Sequence, residues 1–272
     1  MKDFSNKVCV ITGAGSGIGQ ALALELAGRG ARLALSDINA EGVAATGEQA
    51  RARGAEVETD TLDVASREAV FGHADEVGER FGAVNLVVNN AGVALAKDVL
   101  DTPIVDYEWI MGINWWGVLY ASKAFLPRLI ESGDGHLVNI SSVFGLFAVP
   151  GQAGYNAAKF AVRGFTEALR QEMLVAGHPV GVSCVHPGGV RTAIARSARS
   201  DRNTAQELDD AFKKVARTTP ESAARTIVRG VERRHARILI GADARGLDVM
   251  TRVLGSGYQS LVWRATKRMD LG

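Results

Sequence analysis

Tyr155 and Lys159 stand four residues apart, with Tyr155 13 positions beyond Ser142, and far upstream Thr12 is followed by glycines at 13, 15, 17 and 19. On a helix, residues at that spacing share a face, which would set the Lys159 ammonium beside the Tyr155 phenol. A tyrosine ordinarily titrates near ~10, and an adjacent cation lowers that by roughly 1–3 pH units, so the pair predicts a phenol able to give and take a proton at neutral pH. The glycines predict a complementary part: a turn tight enough to bring backbone amides and a helix N-terminus against a pyrophosphate. A proton donor paired with a dinucleotide cradle is the equipment for hydride transfer between a nicotinamide and a hydroxyl/carbonyl pair.

Those residues need strands and helices to position them. Val8–Thr12, Arg32–Asp37, Glu56–Leu62, Asn85–Asn89, His136–Ser141, Val180–Val185 and Arg237–Ile240 read as seven short strands. Most of the spacers are long enough for a helix. The alternation predicts parallel βαβ units, hence an α/β, Rossmann-type, doubly wound sheet with helices on both faces and ligands at the strand C-termini. A helix is expected to begin near Ile18 directly after the glycine turn, whose Gly-x3-Gly-x-Gly spacing differs from the commoner Gly-x-Gly-x2-Gly.

Asp37 ends the second strand, 18 residues past Gly19. A carboxylate there can accept from adenosine ribose hydroxyls and repels a 2′-phosphate, which favours NAD over NADP. Neither Ser16 nor Ile38, the nearest places for a phosphate-binding base, is basic. The competing role for Asp37 is a helix N-cap. Asp63-Val64 closes the third strand, either as an adenine contact or as a plain turn.

Composition bounds the rest. A chain of 272 residues, 47% hydrophobic, can bury one sizeable core, and residues 1–272 are expected to form a single dinucleotide-binding catalytic domain. The formal charge of +1 offers no general attraction for nucleic acid or anionic membrane. Two cysteines, Cys9 and Cys184, each within an apolar run, predict neither a disulfide framework nor a zinc site and fit a reducing cytoplasm. The five histidines show no ligand spacing, so no metal is expected, and His186 reads as structural. No apolar stretch reaches bilayer-spanning length, and the N-terminus runs into the first strand without a signal segment.

Taken in order, Thr12-Gly13-x3-Gly17-Ile18-Gly19, Asp63-Val64, Asn89-Asn90-Ala91-Gly92, Asn114, Ser141-Ser142, Tyr155-x3-Lys159 and Pro187-Gly188-x-Val190-x-Thr192 make the chain resemble the short-chain dehydrogenase/reductase family in its single-domain soluble form, to about residue 241. The resemblance implies a tetrad of Asn114, Ser142, Tyr155 and Lys159. In it Ser142 and Tyr155 bind the substrate oxygen and Tyr155 passes the proton. Lys159 steadies the phenolate and holds the nicotinamide ribose, and the Asn114 main chain organises a water leading to solvent. It also implies cofactor contacts from Thr12, Gly13, Ser16, Gly17, Ile18, Gly19, Asp37, Asp63, Val64, Asn90, Ala91, Gly92, Tyr155, Lys159, Pro187, Gly188, Val190 and Thr192, and assembly as a homotetramer or homodimer through helices near Pro103–Glu131 and Ala153–Ala176.

Both loops expected beside the reacting carbon, residues 93–96 and 143–150, are apolar and favour a lipophilic alcohol or ketone. Residues 191–217 are basic with little periodicity and read as a lid or as a solvated loop. Arg191, Arg196, Arg199 and Arg202 there admit a rival substrate carrying a phosphate or carboxylate. Residues 243–272 form an amphipathic tail broken by Gly255 and Gly257, read as packing on the body or a neighbouring subunit, with peripheral membrane contact as the rival. Two other function classes compete: a cofactor-binding sensor without turnover, and an epimerase or dehydratase on a related fold.

Overall fold

A computed structural model describes residues 1–200, 204, 206–207, 210, 213–214 and 216–270. Its strands are β1 Val8–Thr12, β2 Arg32–Asp37, β3 Val57–Thr61, β4 Leu86–Asn89, β5 Leu95–Ala96, β6 Gly135–Ile140, β7 Val180–Pro187, β8 Arg199–Ser200 and β9 Arg237–Ile240. All seven expected strands are present, and they form one parallel sheet in the order β3-β2-β1-β4-β6-β7-β9. Winding reverses between β1 and β4, which pair in parallel with Cys9 opposite Leu86. That reversal opens the crevice at the strand C-termini where ligands of doubly wound sheets bind.

The helices are α1 Gly17–Ala27, α2 Ala40–Arg51, α3 Arg67–Phe81, α4 Ile104–Met111, α5 Gly117–Glu131, α6 Ala153–Val175, α7 Pro220–Glu232, α8 Ala242–Leu254 and α9 Tyr258–Asp270. Side chains alternate across the sheet, so β1 feeds both layers. Cys9 and Ile11 pack with Leu22 and Leu26 of α1 and Ile227 and Val231 of α7, whereas Val8 and Val10 pack with Phe81, Phe125, Leu129 and Leu169 of α3, α5 and α6. With both faces covered, β1 is buried at every position and reads as a continuous apolar run.

Local chemistry sets the helix starts. Asn39 caps α2 by accepting from the Gly42 amide at 3.0 Å, so the cap is not Asp37. Thr219 caps α7, whose first residue is Pro220. The expected helix from Pro103 to Glu131 is split: a π turn, Gly112–Trp116, lies between α4 and α5 and carries Asn114.

A second, two-stranded sheet pairs β5 with β8, Leu95 opposite Arg199, and joins the segment after Gly92 to the basic segment. Arg199 donates to Asp106 at 2.6 Å and lies 3.9 Å from the centroid of the Trp109 ring, while Lys97 approaches the other Asp106 oxygen at 2.9 Å. The Lys97 ammonium and Arg199 guanidinium together hold the Asp106 carboxyl below the usual carboxylate range. Arg191 donates to the Ala216 carbonyl at 3.0 Å. Arg199 thus ties the 191–217 segment to the body, while Arg191 and Ala216 join its two ends; Arg202 lies outside the described residues.

The tail forms α8 and α9, with a turn at Gly255–Gly257 between them. Leu247, Tyr258 and Val262 pack against Val143, Phe147 and Ala244. Among the described residues no helix is long and apolar enough to cross a membrane.

Candidate active site

The glycine turn is built by close approach. Gly13 has φ +65°, and a Cβ there would come within 2.7 Å of the Ala91 Cα. Asn90 secures the approach by donating to the carbonyls of Thr12 and Gly13 at 3.0 and 2.9 Å, while the Thr12 hydroxyl accepts from the amides of Asn90 and Ala91, both at 3.1 Å. Gly17 has φ +55° and faces the Thr192 side chain. Ser16, the N-cap of α1, makes no side-chain cap, so the first amides of that helix are left to an outside acceptor. Such a start next to a glycine cradle fits a pyrophosphate.

A Cβ at Gly19 would overlap the Gly13 carbonyl oxygen, and backbone cannot rotate away. Gly19→Ala is therefore expected to cost about 1–3 kcal/mol or more of stability and to weaken dinucleotide binding. Thermal unfolding and NAD titration check both, and an unchanged protein would show the turn to be more yielding than its contacts imply.

At the end of β2, Asp37 accepts from the Gly15 amide at 2.8 Å and from the Asn39 amide at 2.9 Å. Its carboxylate thereby braces the turn and stays half-buried at the crevice rim, and its neighbour Ile38 is exposed. Asp63 accepts from the Ala65 amide at 2.9 Å, the turn arrangement, and Val64 packs on the helix at Gly117. Beyond β7, Gly188 leaves room for Asp243, which accepts from the Gly189 amide at 2.7 Å, and Val190 is buried.

The tetrad comes from three elements. Asn114, fully buried in the π turn, holds Val93 at two points: its side chain accepts from the Val93 amide and donates to the Val93 carbonyl, each at 2.8 Å. Lys159 on α6 is buried and donates from Nζ to the Ile140 carbonyl at 3.1 Å. A Cβ on Gly92 would lie 3.1 Å from Asn114 Oδ1 and 3.4 Å from Lys159 Nζ, so the three converge on one point. Tyr155, one turn before Lys159, is buried beside Leu95 and Ile110, with Val93, Trp109 and Phe144 around it. Ser142 caps the turn after β6 by accepting from the Phe144 amide at 3.1 Å and hydrogen-bonds the Tyr155 phenol.

Burial reverses one expectation. The Tyr155 phenol is pushed above its ordinary value by loss of solvent, with the Ser142 hydrogen bond pulling the other way. Lys159 Nζ lies 5.7 Å from the Tyr155 ring centroid and is turned to Ile140, and burial lowers its own pKa to about 8. Helical spacing foretold the shared face; it could not weigh desolvation, which is the largest influence on the phenol.

His186 is buried, and its Nδ1 lies 2.9 Å from the Ser142 carbonyl. Burial lowers its pKa to about 4, so the ring is neutral and Nδ1–H donates, steadying the backbone of Ser142. Asn156 and Asn139 went unseen in the sequence pattern. Asn156 donates to the carbonyls of Phe144 and Phe147 at 2.8 and 3.0 Å, clamping the loop after Ser142. Asn89 donates to Asn139 at 2.8 Å, and Asn139 to Thr166 at 2.9 Å, a buried chain joining β4, β6 and α6 beneath the tetrad. Only the position of Asn156 next to Tyr155 offered a hint.

Away from the tetrad, a cavity of about 770 Å³ runs along the flank of α1 from Ser16 and Gly17 to Arg53, under Thr192 and Arg196. It touches the phosphate end of the crevice and none of the four tetrad residues. At the far edge of the sheet, Asp60 on β3 and His73 and Glu76 on α3 bring ligand-type atoms within 4.8 Å of one another. Sequence spacing hid this grouping because Asp60 belongs to a different element.

A family model described as short chain dehydrogenase matches residues 7–203. A Mycobacterium tuberculosis protein named as an oxidoreductase, SadH, is 56% identical over 266 residues, covering 96% of each chain. Human epidermal retinol dehydrogenase 2 is 43% identical over 175 residues, 64% of this chain and 57% of that one. Among solved structures, a short chain dehydrogenase/reductase from Burkholderia phymatum in complex with NAD superposes with a TM-score of 0.87 at 32% identity, over 93% of this chain and 95% of that one.

Proposed function

We propose, since the chain belongs to the short-chain dehydrogenase/reductase family, that it is an NAD-dependent oxidoreductase acting on a hydroxyl/carbonyl pair of a lipophilic substrate, with Tyr155 as acid and base. The observation that carries this reading is the joint burial of Ser142, Tyr155 and Lys159, with Asn114 holding Gly92 and Val93 against them. Residues 1–272 act in it as one catalytic unit.

The crevice fits the dinucleotide: the Gly13, Gly17 and Gly19 cradle and the uncapped start of α1 would hold the pyrophosphate, Asp37 the adenosine ribose, and Lys159 the nicotinamide ribose. NAD, when bound, supplies the hydride acceptor or donor. Everything else belongs to the protein. Ser142 donates to the phenol oxygen and, with Tyr155, orients the substrate oxygen. During alcohol oxidation Tyr155 takes the hydroxyl proton; during carbonyl reduction it returns one. Asn114 and Gly92 keep open the ground beside Lys159 Nζ, through which a water can lead the proton away.

The substrate reading is supported by the apolar surroundings of Tyr155 and fits a relative named as a retinol dehydrogenase. Arg191 and Arg199 already have partners within the chain, which speaks against an anionic carrier gripped by them. A homotetramer or homodimer through α5 and α6 would cover the exposed Trp116, just before α5, and Phe160 on α6.

Secondary alcohols and ketones of graded length and charge, followed through the near-ultraviolet absorbance of reduced nicotinamide, test the reading. NAD-linked turnover that increases with apolar bulk is expected, and none with any member of the series would sink it. In the same assay Asp37→Ala is expected to narrow the NAD/NADP preference by about 10- to 100-fold, the worth of one charge-assisted hydrogen bond; an unaltered ratio would show that the discrimination lies elsewhere.

A further inference from the structure

The C-terminal tail reaches the acid/base residue through a run of rings. Tyr258, the first residue of α9, meets Phe147 edge-on at 6.1 Å. Phe147 meets Phe144 at 5.3 Å, and Phe144 meets Tyr155 at 6.2 Å with an interplanar angle of 89°. Edge-to-face pairs at such distances carry orientation as well as area. The Tyr258 hydroxyl also accepts from the amide of Ala148, an exposed position, at 3.0 Å. Asn156 grips the same loop from the other side through the Phe144 and Phe147 carbonyls. The loop is thus held from two elements, α6 and the tail.

We propose that Tyr258 is a positioning residue for substrate selection: it fixes the 143–149 loop so that Phe144 forms a wall of the apolar site beside Tyr155. The proposal rests on the dehydrogenase reading for its substrate consequence, but not for its structural one. Without Tyr258, the Ala148 amide loses its acceptor and Phe147 loses the ring that sets its angle. Phe144 then gains freedom next to the reacting carbon. Large apolar substrates, which need the wall, suffer most; the smallest alcohols and the dinucleotide, which do not touch the loop, suffer least.

Two variants and two measurements decide it. Tyr258→Phe keeps the ring and removes the acceptor, whereas Tyr258→Ala removes both. Hydrogen exchange of the 144–149 backbone, read without substrate, is expected to speed up in both variants and more in Tyr258→Ala. The kcat/KM ratio between a bulky and a small alcohol is expected to drop by about three- to tenfold in Tyr258→Phe, the net worth of one hydrogen bond, mostly through KM, and further in Tyr258→Ala, with NAD affinity unchanged. Unchanged exchange in Tyr258→Phe overturns the anchoring, whether or not Tyr258→Ala folds. Faster exchange with an unchanged selectivity ratio overturns the role in selection. A wild-type protein without turnover would sink the dehydrogenase reading and the selection role with it, leaving the exchange result to judge the anchor alone.

Discussion

Replacing Tyr155 with Phe is expected to lower the proposed NAD-linked alcohol oxidation by about 10²- to 10⁴-fold, the span lost with a general acid or base, while NAD binding and the unfolding midpoint stay near wild type. The ring is what packs: it lies with Leu95, Ile110 and Phe144, and Phe fills the same space. What is lost is the oxygen and its hydrogen bond to Ser142, worth about 0.5–1.5 kcal/mol. The pH profile adds a second signature. Burial raises the phenol, so the phenolate needed to accept a proton becomes scarcer as pH falls, and wild-type oxidation should climb from neutral toward alkaline pH. The residual rate of Tyr155→Phe should lack that climb. Retained turnover in the variant would remove Tyr155 from the mechanism; a wild-type profile already level at pH 6 would show that burial does not govern the phenol.

The sheet could be read from the sequence because parallel strands buried on both faces leave a plain signature. Val8–Thr12 and Val180–Val185 are short apolar runs with no polar face to confuse the period, and their boundaries agree with the structure within two residues. The site was legible for a different reason. Gly13 and Gly19 are dictated by backbone crowding and Gly17 by its positive φ, and Tyr155 and Lys159 by the pitch of one helix. What stayed hidden depends on contacts between distant segments. Asn114 was named through the ordered motifs, but only the π turn explains how its side chain reaches Val93. The β5–β8 pair has two residues in each strand, too few to show a period, yet it determines where Arg199 goes. Tyr258 was visible as one more apolar position in the tail, with nothing local to say that its hydroxyl meets Ala148, 110 positions earlier.

Desolvation is the quantity that spacing cannot supply, and Lys159 shows its consequence. Its pKa falls from 10.5 to about 8 because the ammonium is buried out of water, donating to the Ile140 carbonyl. The folded protein therefore holds fewer protons than the unfolded chain between pH 8 and 10.5, so stability rises with pH through that window. Below it both states are protonated and the full penalty applies, on the order of 3 kcal/mol. Lys159→Met removes the charge and keeps an unbranched side chain. Without dinucleotide at pH 7, the variant is expected to unfold at a higher temperature than wild type, with the gap closing toward pH 10, while turnover drops by about 10²-fold or more. Added NAD should raise the wild-type midpoint more than the variant's, because the buried ammonium would gain hydrogen bonds to the ribose hydroxyls. Stability and function then pull this residue in opposite directions, as active-site charges commonly do. A variant less stable than wild type at pH 7, or a stability gap that does not change with pH, would mean that the buried ammonium is better solvated in the protein than its surroundings indicate.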